Sequence, residues 1–170
     1  MPPSQGGLVN TQALAGMYDN AVTNKYEDAT IEFWNALFSV TFPPTDWGVV
    51  PHKYQISQKR PDFVIRRWYS SGGVVEVVVV EGKPQAQTEG QDAKADDQVL
   101  GYAVTALKEG PSDQKKIYAM RVVGVLIMVY EVYKNQPDRL QNLLQDYKDP
   151  KKDVVVLNEV FERIRTVDMF

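Results

Sequence analysis

The stretch that most constrains this fold is residues 74–80, where valine occupies every position except Glu76. β-Branched side chains favour strands, and an apolar run without alternation suits a strand buried on both faces. Residues 63–69, rich in aromatic and β-branched side chains, precede it, and Ser70-Ser71-Gly72-Gly73 between them supplies turn chemistry. A tight β-hairpin is expected. With Ser71-Gly72 as a two-residue loop, Asp62 falls opposite Glu81 on one sheet face and Arg67 falls opposite Glu76 as an opposite-charge pair. The competing loop, Gly72-Gly73, sets Asp62 opposite Lys83 and loses the Arg67 to Glu76 pairing, so the first register is preferred.

Two facing carboxylates repel unless a cation lies between them, and hard divalent ions take oxygen ligands of this kind. Asp62 and Glu81 are therefore candidate ligands for Mg²⁺, with Mn²⁺ as a substitute. Strand alternation keeps Lys83 on the same face as Glu81. There an ammonium can stabilise charge developing on a phosphodiester or help orient an attacking water. The plainer reading is that polar residues flank a buried valine strand.

Pro61-Asp62 followed by Glu81-Gly82-Lys83 resembles the signature of the PD-(D/E)xK nuclease superfamily, whose restriction-endonuclease-like core runs helix, three strands, helix, strand. The resemblance implies an α/β fold of that order. It also implies that Asp62 and Glu81 bind the metal, that Gly82 offers its backbone carbonyl, and that Lys83 acts near the scissile phosphate.

Downstream, Val99, Leu100, Ala103, Val104 and Leu107 recur at helical spacing within residues 91–109, and Gly110-Pro111 ends the run. Gln98 and Tyr102, four apart, project from one side of this amphipathic helix. Their Gln-x-x-x-Tyr pattern, on the helix after the lysine strand, resembles the RecB-like exonuclease branch of the superfamily. That resemblance implies a catalytic-site role in holding the site and the nucleic-acid strand. Apart from it, Gln98 is a solvated polar residue and Tyr102 an aromatic at the core edge. Lys94, one turn earlier, is a further candidate for phosphate contact.

Upstream, Ile31, Trp34, Leu37 and Phe38 mark a core helix over residues 28–38 that ends before Pro43-Pro44. Related nucleases often draw one more acidic ligand from this first helix. By that resemblance Glu32, flanked by Ile31 and Phe33, is the expected metal ligand, with Glu27 second. Residues 52–57 are expected as the first strand and 122–130 as one long buried strand. A C-terminal helix-strand-helix addition is expected to follow: a helix over residues 137–147 carrying Leu140, Leu143 and Leu144, a short strand over 154–157, and a final helix capped by Asn158.

One domain is expected over residues 1–170, with the first ten residues as a flexible arm and residues 85–92 as an exposed loop beside the site. The absence of cysteine removes disulfides, zinc–thiolate sites and thiol nucleophiles. The single histidine, His52, has no second histidine or cysteine to share a metal, so its expected role is structural. No glycine-rich loop has the spacing that cradles nucleotide phosphates. Signal-peptide and membrane-spanning patterns are missing, and an intracellular location, cytoplasmic or nuclear, is expected.

The expected function is a metal-dependent nuclease hydrolysing phosphodiester bonds, in DNA more than in RNA. A formal net charge of −3 and a pI near 5.2 argue against a broad nucleic-acid surface. Lys59-Arg60, Arg66-Arg67, Lys94 and Lys115-Lys116 are the candidates for a local basic rim. The alternative is a restriction-fold domain that no longer cuts and serves as a nucleic-acid- or protein-binding regulatory module. A homodimer is compatible with the resemblance, since many such nucleases pair to cut both strands, although no segment marks an interface.

Overall fold

A computed structural model describes residues 7–85 and 89–170 in backbone, and their side chains except for residues 89–92. The elements are α1 (Gln12–Thr23), α2 (Glu27–Thr41), β1 (Trp47–Pro51), β2 (Phe63–Trp68), β3 (Val74–Lys83), α3 (Glu89–Glu109), β4 (Lys116–Val123), β5 (Leu126–Tyr133), β6 (Gln136–Asn142) and α4 (Val154–Thr166). The strands form one sheet in sequence order, antiparallel except between β3 and β4, which run parallel. A parallel pair needs a long crossover, and α3 provides it. The run α2-β1-β2-β3-α3-β4 is the helix, three strands, helix, strand order expected of the core.

Val77, Val78, Val79 and Val80 are all fully buried, so both faces of β3 are covered. Arg121 is the register partner of Glu81 across the parallel pair and reaches Asp96 of α3 at 2.6 Å. The next residue, Gly82, faces Ile31 of α2. Alternation therefore puts α3 and α2 on opposite faces. On the α2 face, Phe33, Trp34, Phe38 and Phe63 pack ring against ring, and the cluster continues through Phe42 to Phe161 of α4. Each such buried side chain contributes about 1.5–3 kcal/mol by removal from water.

The hairpin reaches the expected Phe63↔Val80 pairing by a different route. Its loop has three residues, Ser70, Ser71 and Gly72, closed by Tyr69 N–H donating to Gly73 O, with Gly72 at φ 87°. That shifts the pairing by one. A bulge then shifts it back, because Ile65 pairs with Val78 and Arg66 with Glu76, leaving Val77 as the extra residue. From Ile65↔Val78 to Phe63↔Val80 the ladder is as expected; it ends there, and Asp62 N–H donates to Val80 O at 3.1 Å. Arg66, not Arg67, consequently lies opposite Glu76, 3.7 Å from its carboxylate. Arg67 instead lies over the rings of Trp47 and Tyr69.

Other expectations are corrected. The first strand is Trp47–Pro51; residues 52–57 turn away at His52, whose φ is 49°. The apolar run over 122–130 is two strands, because Gly124 at φ 59° reverses the chain between β4 and β5. The expected helix over 137–147 is largely the edge strand β6, where Pro137 is tolerated because the outer side of an edge strand needs no backbone donor. Residues 154–157 belong to α4, and Asn158 lies inside it. There Leu157, Val160, Phe161 and Ile164 make a buried stripe whose helical period overrides the strand preference of three valines. The addition after β4 is therefore strand, strand, helix rather than helix, strand, helix.

Helix α1, which no sequence expectation covered, is capped by Thr11 accepting from Leu14 N–H at 3.1 Å, and its Tyr18 packs on Phe33. Most of the expected N-terminal arm and the centre of the 85–92 loop lie outside the described residues. Helix α3 already begins at Glu89. No described helix is long and apolar enough to cross a membrane.

Candidate functional site

Strand β3 continues beyond its valines through Glu81, Gly82 and Lys83. Three other parts of the chain meet it there: Asp62 just before β2, the first turn of α2, and the β4–β5 turn. Gly124 of that turn donates its N–H to Lys83 O at 3.1 Å, and its own carbonyl accepts from Trp34 Nε1 at 2.8 Å. The end of β3 is thereby tied to a fully buried tryptophan of α2.

Glu81 is buried, at 4% exposure, and accepts from Lys83 Nζ at 2.5 Å. Burial pushes its carboxyl up to about 7; the Lys83 hydrogen bond opposes this, while the charges of Asp62 and Glu27 reinforce it. Burial alone would depress Lys83, but its bond to Glu81 and the charges of Glu81, Glu27 and Asp62 carry it above its ordinary value. Asp62 Oδ2 accepts from Gly82 N–H at 2.7 Å. A side chain at Gly82 would put its Cβ 2.5 Å from Ile31 Cδ1, so the absence of one lets α2 approach the strand.

That approach determines which helical acid belongs to the site. Glu27, one turn before Ile31 on α2, has Oε2 4.0 Å from Lys83 Nζ. Burial raises its carboxyl, with Lys83 opposing and Asp62 adding to the rise. Glu32 is exposed and stands about 140° around the helix from Glu27. The structure thus brings the second-choice glutamate to the cluster and leaves Glu32 outside it. The available signal was the i,i+4 spacing of Glu27 and Ile31, which shares a face that Glu32 does not.

Tyr102 is half-buried on α3, and its hydroxyl is raised first by burial and then by the negative charges of Glu81 and Asp62. It therefore senses the cluster. Gln98, one turn earlier, joins Tyr102 in a cleft of about 290 Å³ with Lys59, Lys94, Asp97 and Gly101. This cleft adjoins the carboxylates through Tyr102; Gln98 lines it at a further remove. His52, besides the turn it makes, donates its N–H to Asp62 O at 2.9 Å and so helps position that residue.

The donor set is Asp62, Glu81 and Glu27 with one ammonium among them. As the side chains stand, no three acidic or histidine side chains among the described residues are gathered tightly enough to coordinate an ion. Lys83 is the counter-ion of Glu81.

Fold and cluster together describe a mixed α/β sheet domain with an acid–lysine site at the end of an internal strand. Among solved structures it is similar to a chain of a DrdV–DNA complex determined by cryo-EM, with a TM-score of 0.54 and 12% sequence identity over 95% of this chain and 97% of that one. At that identity the likeness is one of fold. No protein-family model matches the chain, and no curated protein matches its sequence.

Proposed function

We propose that this protein is a Mg²⁺-dependent nuclease of the PD-(D/E)xK type that hydrolyses DNA phosphodiesters at the Asp62–Glu81–Lys83 cluster. One observation carries the reading: three carboxylates, those of Asp62, Glu81 and Glu27, share a single ammonium at the end of a buried strand. Such an excess of negative charge favours a cation, and oxygen donors of this kind suit Mg²⁺ or Mn²⁺. Asp62, Glu81 and the Gly82 carbonyl would hold the ion, with Glu27 as the helical ligand in place of Glu32. When bound, the metal would polarise the phosphodiester and lower the pKa of a bound water.

Lys83 favours the charged form of Glu81 against its burial, and once an ion takes its place on that carboxylate its ammonium would offset charge on the phosphoryl oxygens as the bond breaks. Tyr102 and Gln98 border the adjoining cleft and orient the strand. DNA is the favoured substrate because the similar solved chain comes from a complex with DNA. The alternative, a restriction-fold binding module that does not cut, is favoured by the close Lys83–Glu81 pair, which competes with an ion for the same carboxylate.

The test is digestion of single- and double-stranded DNA by purified protein. Cleavage is expected with Mg²⁺ or Mn²⁺, and its loss in EDTA and in Asp62→Ala. Ca²⁺ should bind without supporting much cleavage, because its loose coordination positions the attacking water poorly. Equal residual digestion by wild type and Asp62→Ala would overturn the nuclease reading and leave the binding module.

A further inference from the structure

The segment between β1 and β2 carries groups that the proposed chemistry does not use. His52 and Gln58 both have positive φ, 49° and 65°, a conformation that side-chain-bearing residues keep only where surrounding contacts impose it. His52 N–H donates to Asp62 O and Gln58 N–H to Gln55 O, and neighbouring residues of the segment are held along α3. Gln55 Nε2 donates to Tyr102 O at 2.8 Å, Lys59 Nζ to Thr105 Oγ1 at 3.3 Å, and Ser57 N–H to Glu109 Oε1 at 3.2 Å. The loop is thereby laid as a fixed rail beside the helix. From Gln98 to Glu109 that helix stretch spans about 16 Å at the α-helical rise.

The outer side of the rail is apolar where water would be expected to select polar residues. Ile56 is 83% exposed and Tyr54 59% exposed. Arg60 holds Tyr54 in place, with its guanidinium 5.3 Å from the ring centroid and Nη1 3.3 Å from the hydroxyl. Cations surround this pair. Lys59 and Lys94 line the cleft that contains Tyr102, together with Asp97. Lys53 and Arg66 line a second cleft, of about 340 Å³, together with Tyr54 and Ile56. Glu76 lies between those two cations, and Glu109 is the other acid on that cleft. Arg60, Lys53 and Arg66 thus lie beside one exposed aromatic and one exposed aliphatic side chain, with Lys59 and Lys94 on the other cleft.

We propose that this loop is a platform for an unpaired nucleic-acid strand, with bases stacked on Tyr54 and packed against Ile56 while Lys59, Arg60 and Lys94 contact phosphates. The inference rests on the nuclease reading for what becomes of the strand, which the platform leads past Tyr102 toward Glu81. An unpaired base offers an aromatic face for stacking, whereas bases in a duplex are already stacked on their neighbours. Phosphate contacts alone explain the cations but not Tyr54 and Ile56.

The test is fluorescence anisotropy of a short labelled oligothymidylate and of its duplex with oligoadenylate, in EDTA so that no cleavage intervenes. The single strand is expected to bind more tightly than the duplex. Tyr54→Ala should weaken single-strand binding by about tenfold, with little effect on the duplex, and Tyr54→Trp should retain it. Lys59→Ala should lower the slope of log affinity against log salt by about 1. Far-ultraviolet circular dichroism confirms that each variant is folded. Wild-type single-strand affinity in folded Tyr54→Ala, or equal affinity for strand and duplex, overturns the platform. The two readings fail separately: DNA cleavage with unaltered strand binding in Tyr54→Ala removes the platform and keeps the nuclease. Tyr54-dependent strand binding by a protein that cuts nothing keeps the platform and removes the nuclease.

Discussion

The backbone N–H of Gly82 donates to Asp62 Oδ2 at 2.7 Å, linking the residue before β2 to the end of β3. Asp62 therefore has two opposed effects on stability: it anchors the strand end through a charge-assisted bond, and its charge repels Glu81 and Glu27. Asp62→Asn keeps an acceptor and removes the repulsion, so its metal-free melting temperature is expected at or above that of wild type. Asp62→Ala removes both and should be about 1 kcal/mol less stable than Asp62→Asn. Calorimetry in EDTA measures the difference, and identical melting of the two variants would show that the bond adds no stability.

The near contact between Gly82 and Ile31 predicts an interaction that a double-mutant cycle detects. Gly82→Ala puts a methyl 2.5 Å from Ile31 Cδ1, the flexible end of a side chain, so the helix yields rather than the fold collapsing. A cost of about 1–2 kcal/mol is expected, with loss of activity because Glu27 sits one turn away on the same helix. Ile31→Val removes the contacted methyl. The double variant should be more stable than the two single effects added together, by about 0.5 kcal/mol or more. Strict additivity in urea unfolding would place the strain elsewhere.

Glu81 makes metal-free stability depend on pH. A carboxyl raised from 4.5 to about 7 binds its proton more tightly in the folded state than in the unfolded state. Its contribution is thus a loss of stability as pH rises from about 4.5 toward 7, complete once both states are ionised. The size is on the order of 1–3 kcal/mol. Glu27, also raised, adds in the same direction. Melting temperatures in EDTA should fall across this window, and Glu81→Gln should flatten most of the fall. Divalent ions favour the charged carboxylate, so Mn²⁺ affinity measured by calorimetry should rise through the same window.

Lys83 should separate binding from turnover. Its ammonium neutralises Glu81, so Lys83→Met removes the cation that Glu81 and Glu27 face and leaves an added ion without that competitor. Mn²⁺ affinity is expected to hold or increase, while kcat falls by about 10²–10³, the range for removing a group that stabilises developing charge. A variant that loses metal binding and activity together would assign Lys83 to building the site rather than to the chemical step.

The hairpin was legible because its strands are adjacent in sequence and joined by a short glycine-containing turn, so few registers compete. Even so, the two-residue loop was wrong, and the pairing of Phe63 with Val80, next to Asp62 and Glu81, survived because a third loop residue and the Val77 bulge offset each other. Arg66 and Arg67 record the difference. The core helices α2 and α3 were readable from their apolar period. The segment after residue 123 was not, although its strands are also joined by short turns: Gly124 reverses the chain inside one continuous apolar run, and β6 has no buried residue to mark it as a strand. Leu140, Leu143 and Leu144 have a spacing that fits a helix equally well, and pairing with β5 decides the outcome. Within the site, Asp62, Glu81 and Lys83 follow from strand alternation. The choice between Glu27 and Glu32 depended on how α2 is rotated against Gly82, which the helical period alone does not fix.

That rotation supplies the sharpest comparison of two residues in one helix. Glu27 lies 4.0 Å from the Lys83 ammonium, whereas Glu32 is exposed and turned away from it. Glu27→Gln is expected to weaken Mn²⁺ binding by about tenfold, equivalent to about 1.4 kcal/mol, and to lower activity at limiting metal. Glu32→Gln should leave both unchanged, because neutralising an exposed charge outside the cluster alters little. Glu27→Gln should also stabilise the metal-free protein above pH 7, since it removes one of the charges that oppose ionised Glu81. Calorimetric Mn²⁺ titration of the two variants beside wild type decides the matter. If Glu32→Gln weakens binding and Glu27→Gln does not, α2 must rotate when the ion enters, and the helical ligand would be Glu32.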